Sequence, residues 1–336
     1  MAEQIQPDED TQNEVEQAIC DIMETESVQF KRSCPGGMVN QNGVYQTDKG
    51  DVFVKLSDRP QARQMFHGEF ASLEELRKAD IVKVPCPIKV VALPTKGCAL
   101  LMEYLELTAL QDQKSFSKLG LSIAQLHLAN EKRGRKGEAT EGSIHHQTAG
   151  VGLYVDKFGF DIVTSNGFIL QDTTWTDNWL DYWARKMQTQ ISLLESNYGE
   201  REVIELWNHL LPKLTKFFKE VEVKPSLLHA DLWDENLGEV NGEVVMFDPG
   251  CFYGHSEFDL ALPSLCDNPY WKDFFSSYHE IIPKAKGFEN RAKLYQLYHH
   301  INHWNHFPPG SWDGDEQRED KFLAVTTLQK LLTVGF

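Results

Sequence analysis

Residues 227–236 constrain this chain more than any other stretch, and they read Leu-Leu-His-Ala-Asp-Leu-Trp-Asp-Glu-Asn. An apolar run leads there into a polar loop that holds Asp231 and Asn236, and Asp248 follows twelve residues after Asn236. Between them, Asn241-Gly242 is the strongest short signal for a hairpin, because both residues tolerate the positive φ of a type I′ turn. A hairpin folded about that turn would bring Asp248 back beside Asn236.

This arrangement predicts a divalent-metal site. Amide and carboxylate oxygens are hard ligands that suit Mg²⁺ carrying a phosphate. Asp231 and Asn236 have the spacing that kinases use for a catalytic base and a metal-binding amide. Any surface loop can hold Asp and Asn, so these two residues alone do not indicate a catalytic site. A catalytic site is favoured by the order of the segments: an apolar run, a loop, a hairpin and a second carboxylate. His229 is predicted to brace the loop.

A lysine on a predicted strand supplies a second part of the pattern. Lys55 ends a run that alternates with period two, and a predicted helix over 61–79 follows it and carries Glu69. A lysine at the end of a strand is often only a solvated charge. Kinases, however, hold the α- and β-phosphates with a strand lysine that a helix glutamate positions. Glu74 and Glu75 lie on the same helix, but Glu69 flanks its apolar stripe and is predicted to face inward.

Two backbone segments complete the candidate nucleotide site. Gly36-Gly37 lies in a turn between predicted strands and matches neither the P-loop nor the dinucleotide-binding pattern. It is predicted to cover phosphates with its backbone N–H groups. Residues 102–105 leave the last predicted strand, and a hinge between two lobes is predicted near 104–108.

Composition excludes several classes of function. The net charge of −17 argues against nucleic-acid binding and against anionic membranes. No apolar run approaches the length that crosses a bilayer. Six cysteines without a C-x-x-C pair indicate reduced thiols, and the acidic N-terminus does not resemble a targeting peptide. We therefore expect a soluble cytoplasmic protein.

The order of predicted elements indicates an α+β fold with two lobes. Residues 1–12 are expected to form a disordered acidic tail. Residues 13–105 are predicted to form a small ATP-binding N-lobe with an antiparallel sheet and one helix. Residues 106–336 are predicted to form a larger, mainly helical C-lobe with the catalytic and substrate-binding residues. A chain of 336 residues is long enough for both.

The runs HADLWDENLG and FDPGCFYGHSEFDLAL resemble the fructosamine/ketosamine-3-kinase family. The family pattern is His-Gly-Asp-Leu-Trp-x-x-Asn, followed by Asp-Pro-x-x-x-Tyr-Gly-His-x-Glu, and the similarity extends over residues 15–307. The resemblance implies a protein-kinase-like fold of the aminoglycoside-phosphotransferase type. It also implies ATP- and Mg²⁺-dependent phosphorylation of the 3-hydroxyl of a ketosamine, the sugar adduct that glycation leaves on an amine. The 3-phosphate would decompose and free the amine, which is deglycation repair.

Carried over by position, the resemblance implies a role for each candidate residue. Asp231 resembles the catalytic base, and Asn236 and Asp248 resemble the metal ligands. The nucleotide would be held by the glycine turn, the Lys55–Glu69 ion pair and an adenine-binding hinge, a set comprising Gly36, Gly37, Lys55, Glu69, Met102, Glu103, Tyr104 and Leu105.

Three further side chains are predicted to meet the substrate. Trp233 stands where protein kinases have no tryptophan, and it is predicted to stack against the sugar. His303 and Asn305 belong to a run rich in histidine and aromatic residues, 299–307. This run lacks the ligand spacing of a zinc site and favours the lining of a sugar-sized pocket.

Two positions depart from the family pattern. Ala230 replaces glycine, a change that the loop absorbs without strain if φ is negative there. Met38 replaces a cysteine that is frequent in the glycine loop, so redox switching or a disulfide dimer through that position is not implied.

Two alternatives stay open at this stage. One is a related small-molecule kinase that acts on an aminoglycoside, choline or another sugar. The other is an inactive relative that binds nucleotide, although the retention of Lys55, Asp231, Asn236 and Asp248 argues against it. The expected partner is a free or protein-bound ketosamine, with no nucleic acid and no membrane, and the chain is expected to be a monomer or weak homodimer.

Overall fold

The computed structural model describes residues 8–34, 40–140, 154–307 and 314–335. Its helices are α1 (Glu9–Met23), α2 (Ala62–Ala79), α3 (Gln113–Thr140), α4 (Trp179–Tyr198), α5 (Glu202–Leu210), α6 (Leu214–Phe217), α7 (Trp271–Ile281), α8 (Phe288–His306) and α9 (Gly314–Leu332). Its strands are β1 (Val28–Ser33), β2 (Gln41–Thr47), β3 (Gly50–Ser57), β4 (Pro87–Ala92), β5 (Cys98–Glu103), β6 (Ser165–Asn166), β7 (Ile169–Leu170), β8 (Ser226–Leu228), β9 (Leu237–Val240), β10 (Glu243–Met246) and β11 (Phe252–Gly254).

The chain folds into two compact units. The first contains the described residues up to Gln111 together with 162–170 and 235–250, and the second contains those of 112–161, 171–234 and 251–336. Both later segments of the first unit follow position 105, where the sequence indicated the end of the N-lobe. Backbone hydrogen bonds explain why the 235–250 segment belongs there: Thr108 and Glu239 exchange two of them, at 3.0 and 2.8 Å, and the amide of Met246 donates to the carbonyl of Lys83 at 2.9 Å.

The first unit is built on an antiparallel five-stranded sheet with the order β1-β2-β3-β5-β4. Val52, Val54 and Leu56 share the buried face of β3, as the period-two pattern predicted. Helix α1 packs on this sheet through Val15 and Ile19. The unit therefore carries α1 as well as α2, whereas the predicted N-lobe had one helix.

Helix α1 begins inside the segment that was expected to be disordered. The expected disordered tail ran to residue 12, but Asp8 caps a helix that starts at Glu9 by accepting a hydrogen bond from the amide of Thr11 at 2.8 Å. Acidic residues in the first turn favour this start, because they face the positive end of the helix dipole. Residues 1–7 lie outside the described part of the chain.

The second unit is mainly helical. Helix α3 packs along α7, and α8 packs against both α4 and α9. Aromatic side chains fill the space between α4 and α8, where the rings of Trp183 and Tyr295 meet edge to face at 4.9 Å. Strands β8 and β11 pair antiparallel and frame the loop that begins at His229. Together the two units confirm the α+β class.

Among the described residues, no helix has the length and apolar character that would let it cross a membrane.

Candidate active site

The predicted hairpin between Asn236 and Asp248 is present. Strands β9 and β10 pair antiparallel, and the turn residues Asn241 and Gly242 have φ of 52° and 79°. The amide of Phe247 donates to the carbonyl of Asn236 at 3.1 Å. This bond closes the hairpin and brings Asp248 back next to Asn236, as the position of the turn predicted.

Lys55 lies at the centre of the first unit's polar site. Its ammonium contacts Glu69 Oε1 at 2.6 Å and also forms an ion pair with the Asp248 carboxylate. The lysine is 3% exposed. Burial alone would lower the pKa of Lys55, but the carboxylates of Asp248 and Glu69 outweigh it and raise this pKa above its ordinary value. The predicted Lys55–Glu69 ion pair is thus present, and the contact with Asp248 is an addition.

The two carboxylates around Lys55 differ in their environment. Burial raises the pKa of Glu69 to about 7; the Lys55 ammonium opposes this rise, and the Asp248 carboxylate adds to it. The side chain of Glu69 is 12% exposed and that of Asp248 is 34% exposed. Glu69 therefore serves to hold Lys55, whereas Asp248 is the carboxylate that a ligand could reach. Asp248 also has a left-handed φ of 57°, so its backbone conformation differs from that of a strand residue.

The residues around Asp248 fit a magnesium ion. The residues that the hairpin brings together are a carboxylate, Asp248, and an amide, Asn236. Mg²⁺ prefers oxygen ligands, and it is commonly held by one or two protein groups while water and phosphate oxygens complete its shell. This donor set, open on the Asp248 side, therefore suits Mg²⁺ better than a metal that needs nitrogen or sulfur ligands.

The loop that carries Asp231 belongs to the second unit, and a buried carboxylate holds its backbone. Asp259 accepts hydrogen bonds from the amides of His229 and Ala230, both at 2.8 Å. His127 Nε2 lies 3.2 Å from the same carboxylate, and His127 Nδ1 lies 2.8 Å from the hydroxyl of Tyr278. Asp259 thus connects the loop to α3 and α7.

His229 adds a bond within the loop. Its Nδ1 accepts from the amide of Asp231 at 3.3 Å, and its side chain is fully buried. A histidine enclosed in this way supports the backbone of the proposed base, which agrees with the bracing role predicted for it.

Asp259 is a site residue that sequence reasoning missed. Its only local signal is a carboxylate within the apolar run Phe258-Asp259-Leu260-Ala261-Leu262. An acid in a buried run requires polar partners, because an unpaired buried charge is costly. The run itself does not say which amides those partners are, since they lie some thirty positions away.

Ala230 corrects one expectation. The loop was expected to absorb the alanine with a negative φ, yet φ at Ala230 is +69°. In that left-handed region a Cβ approaches the following carbonyl oxygen, at a cost of about 1–2 kcal/mol. The hydrogen bonds that the amides of His229 and Ala230 donate to Asp259 hold the backbone in this conformation despite the methyl group.

Ala230→Gly is therefore expected to stabilise the protein. Relief of the left-handed strain should exceed the extra chain entropy of glycine, for a net gain of up to about 1 kcal/mol in the free energy of unfolding. Urea denaturation measures this change. The matched control is Ala124→Gly inside α3, which should lower stability because no strain is relieved there. A loss of stability in Ala230→Gly would contradict the assignment of strain.

The remaining nucleotide-site predictions concern the glycine turn and residues 102–105. Gly36 and Gly37 lie outside the described residues. Met102 is buried on β5, and the side chain of Glu103 accepts from the amide of Cys86 at 3.0 Å. The hydroxyl of Tyr104 accepts from Arg32 at 3.0 Å, and Leu105 is half-buried. These contacts give the segment a fixed path, while its role in binding adenine stays a prediction.

The three predicted substrate residues have different surroundings. Trp233 is half-buried beside Asp231 in the sequence, and stacking on a sugar stays a prediction. His303 forms an ion pair with Asp320 on α9. Asn305 is buried and donates to the carbonyl and side chain of Gln190, at 2.9 and 2.8 Å. Asn305 therefore joins α8 to α4, and its contact with a sugar stays a prediction.

Comparison with known proteins gives one consistent picture. The family model described as fructosamine kinase matches residues 11–324. The chain is 44% identical over 279 residues to ketosamine-3-kinase of Mus musculus, and the aligned region covers 82% of this chain and 89% of the relative. It is 33% identical over 280 residues to protein-ribulosamine 3-kinase, chloroplastic, of Oryza sativa subsp. indica, covering 83% of this chain and 74% of the relative.

A solved structure shows the same fold. A protein from Haemophilus somnus 129PT, assigned as a fructosamine-3-kinase, superimposes with a TM-score of 0.74 at 23% identity, covering 96% of this chain and 98% of that one.

Proposed function

This chain belongs to the fructosamine kinase family, and we propose that it transfers the γ-phosphoryl group of ATP to the 3-hydroxyl of a ketosamine. The observation that carries this proposal is the buried Lys55 ammonium held by Glu69 and Asp248. A lysine between a helix carboxylate and a metal-binding carboxylate is the arrangement with which kinases position ATP phosphates. The mouse and rice relatives, named for ketosamine and ribulosamine, support the substrate class.

Each residue has one task in the proposed reaction. Lys55, held by Glu69, binds the α- and β-phosphates. Asp231 accepts the proton of the 3-hydroxyl and orients its oxygen toward the γ-phosphorus. The new bond joins that oxygen to the γ-phosphorus, the bond between the γ-phosphorus and the bridging oxygen breaks, and ADP leaves. Asn236 and Asp248 would hold Mg²⁺, which neutralises phosphate charge when bound.

The product accounts for the biological outcome that we propose. A 3-phosphate on a ketosamine decomposes spontaneously and releases the amine, so the chain would act in deglycation and protein repair. The six cysteines carry thiols rather than disulfides. This supports a reducing compartment such as the cytoplasm.

The proposal is tested by ketosamine-dependent release of ADP. We expect turnover with fructoselysine or ribuloselysine in the presence of ATP and Mg²⁺, and comparison of the two sugars identifies the preferred one. Absence of ADP release with both would overturn the proposal. Transfer to choline or an aminoglycoside instead would support the small-molecule kinase alternative, which the names of the mouse and rice relatives do not favour.

Removal of the Asp248 carboxylate tests the metal assignment. Asp248→Ala is expected to lower kcat at least about 10²-fold at any Mg²⁺ concentration, because charge on the transferring phosphoryl group loses its stabiliser. The fold should stay intact, since Lys55 keeps Glu69 as its partner. Asp51→Ala removes an acid from the same unit, where Asp51 pairs with Lys31, and should leave kcat unchanged. Wild-type turnover in Asp248→Ala would remove Asp248 from the metal site.

A further inference from the structure

A short hairpin from the middle of the chain lies against the helix that carries Glu69. It consists of residues 162–170, includes β6 and β7, and belongs to the first unit. At Gly68 the hairpin touches the helix backbone. A Cβ added at Gly68 would lie 2.5 Å from the carbonyl oxygen of Val163 and 2.8 Å from Cα of Thr164. Only glycine permits this approach, and Glu69 is the next residue.

The same hairpin also holds the start of α2. The side-chain amide of Gln61 donates to the carbonyl of Phe168 at 3.1 Å. The guanidinium of Arg59 lies 4.5 Å from the centre of the Phe168 ring, within the range of a cation–π interaction. Helix α2 is therefore fastened to the hairpin at two places, its beginning and its middle.

A further bond links the hairpin to the segment that carries Asp248. The hydroxyl of Thr164 donates to the carbonyl of Gly250 at 3.4 Å, and Thr164 is fully buried. Gly250 stands two positions after Asp248. The hairpin thus touches the carriers of both carboxylates that Lys55 contacts.

We propose that residues 162–170 are a positioning element that fixes Glu69 and Asp248 around Lys55, and that Gly68 is the positioning residue through which the hairpin acts on Glu69. This inference rests on the proposed function of Lys55 in ATP binding. It implies that helix α2 is not a moving part of this kinase. The hairpin contacts, rather than the nucleotide, would then order the phosphate-binding ion pair.

Gly68→Ala tests this inference. The added methyl must push α2 away from Val163, which displaces Glu69 and releases Lys55. We expect the Kd for ATP, measured by calorimetry without a ketosamine, to rise about tenfold or more, because small misplacements of a positioning group are costly. The KM for the ketosamine should stay unchanged, since the substrate meets other residues.

The matched control is Gly120→Ala on α3. A Cβ at Gly120 would clash with the carbonyl oxygen of Phe274. This clash resembles the one at Gly68 but lies in the second unit. Both variants should lose stability. Only Gly68→Ala should lose ATP affinity, and an equal loss in both would show that Gly68 has a merely structural role.

A double-mutant cycle shows whether Gly68 acts through Glu69. In a Glu69→Gln background, Gly68→Ala should weaken ATP binding little further, because the group that it positions is already altered. Full additivity of the two effects would overturn the inference.

A milder variant covers the case in which Gly68→Ala does not fold. Phe168→Leu keeps an apolar side chain and removes the ring under Arg59. This variant should speed amide hydrogen exchange in α2 and raise the Kd for ATP. In the wild-type protein, the amides of α2 should exchange at the same rate with and without ADP. Unchanged exchange and ATP affinity in Phe168→Leu would contradict the inference alone. Failure of the wild-type protein to bind ATP would overturn the proposed function as well.

Discussion

Asp231→Asn is expected to lower kcat for ketosamine phosphorylation by about 10²–10⁴-fold, the range for loss of a general base. Asparagine keeps the size of the side chain but cannot take the proton of the 3-hydroxyl. The loop should keep its conformation, because its backbone is held by Asp259, which accepts from the amides of His229 and Ala230. The substitution at position 231 leaves these two bonds unchanged. ATP affinity should therefore be unchanged. Single-turnover measurements with saturating ATP separate this loss of chemistry from a loss of binding.

Asp234→Asn is the matched control for this variant. Asp234 lies in the same loop, but its carboxylate accepts from Asn268 at 2.6 Å and from the indole of Trp271 at 2.9 Å. An asparagine oxygen can still accept one of these bonds, so kcat should change little. If Asp231→Asn turned over at the wild-type rate, the proton would have to go to another group.

Arg291→Met is expected to produce the largest loss of stability, about 3–5 kcal/mol in the free energy of unfolding. Arg291 is fully buried and binds Glu257 in a bidentate pair at 2.8 and 2.7 Å. It also donates to the carbonyls of Phe217 and Lys286. Methionine fills a similar volume but leaves a buried carboxylate without its counter-charge. Urea denaturation at neutral pH measures the loss.

Two further measurements tie the loss to the buried pair. Burial raises the pKa of Glu257 and Arg291 opposes the rise, so removal of Arg291 should raise this pKa further. A buried acid with a raised pKa destabilises the fold only when it is ionised, so the deficit should shrink as the pH falls toward the ordinary pKa of glutamate. Lys78→Met removes an exposed partner of Glu75 and should cost nothing measurable. A comparable loss of stability in both variants would show that the buried Arg291–Glu257 pair contributes no more to the free energy of unfolding than an exposed pair does.

Local patterns predicted several features of the site correctly. Asn241-Gly242 specified its hairpin because the turn depends on the φ preferences of two adjacent residues. The choice of Glu69 over Glu74 followed from helical periodicity, and Glu74 is indeed exposed. Both patterns act over a few residues, so the surrounding fold did not need to be known.

Other features needed the folded chain. The alternation along β3 placed Lys55, but it did not show that Asp248 would share its ammonium, 193 positions away. The left-handed φ of Ala230 follows from two bonds to Asp259 in a distant turn. The sequence around Asn305 did not show that its amide would bond Gln190 on α4, 115 positions away.

The sequence by itself indicated a kinase, because the motifs around Lys55, Glu69, Asp231, Asn236 and Asp248 and their order are linear properties of the chain. Tertiary structure alone decided what holds these groups in place. The hairpin at 162–170 reaches Gly68, and Asp259 reaches the loop of Asp231, through backbone groups that every residue possesses. The identities of Gly68 and Asp259 do not say which backbone groups they meet, so these contacts appear only when the chain is folded.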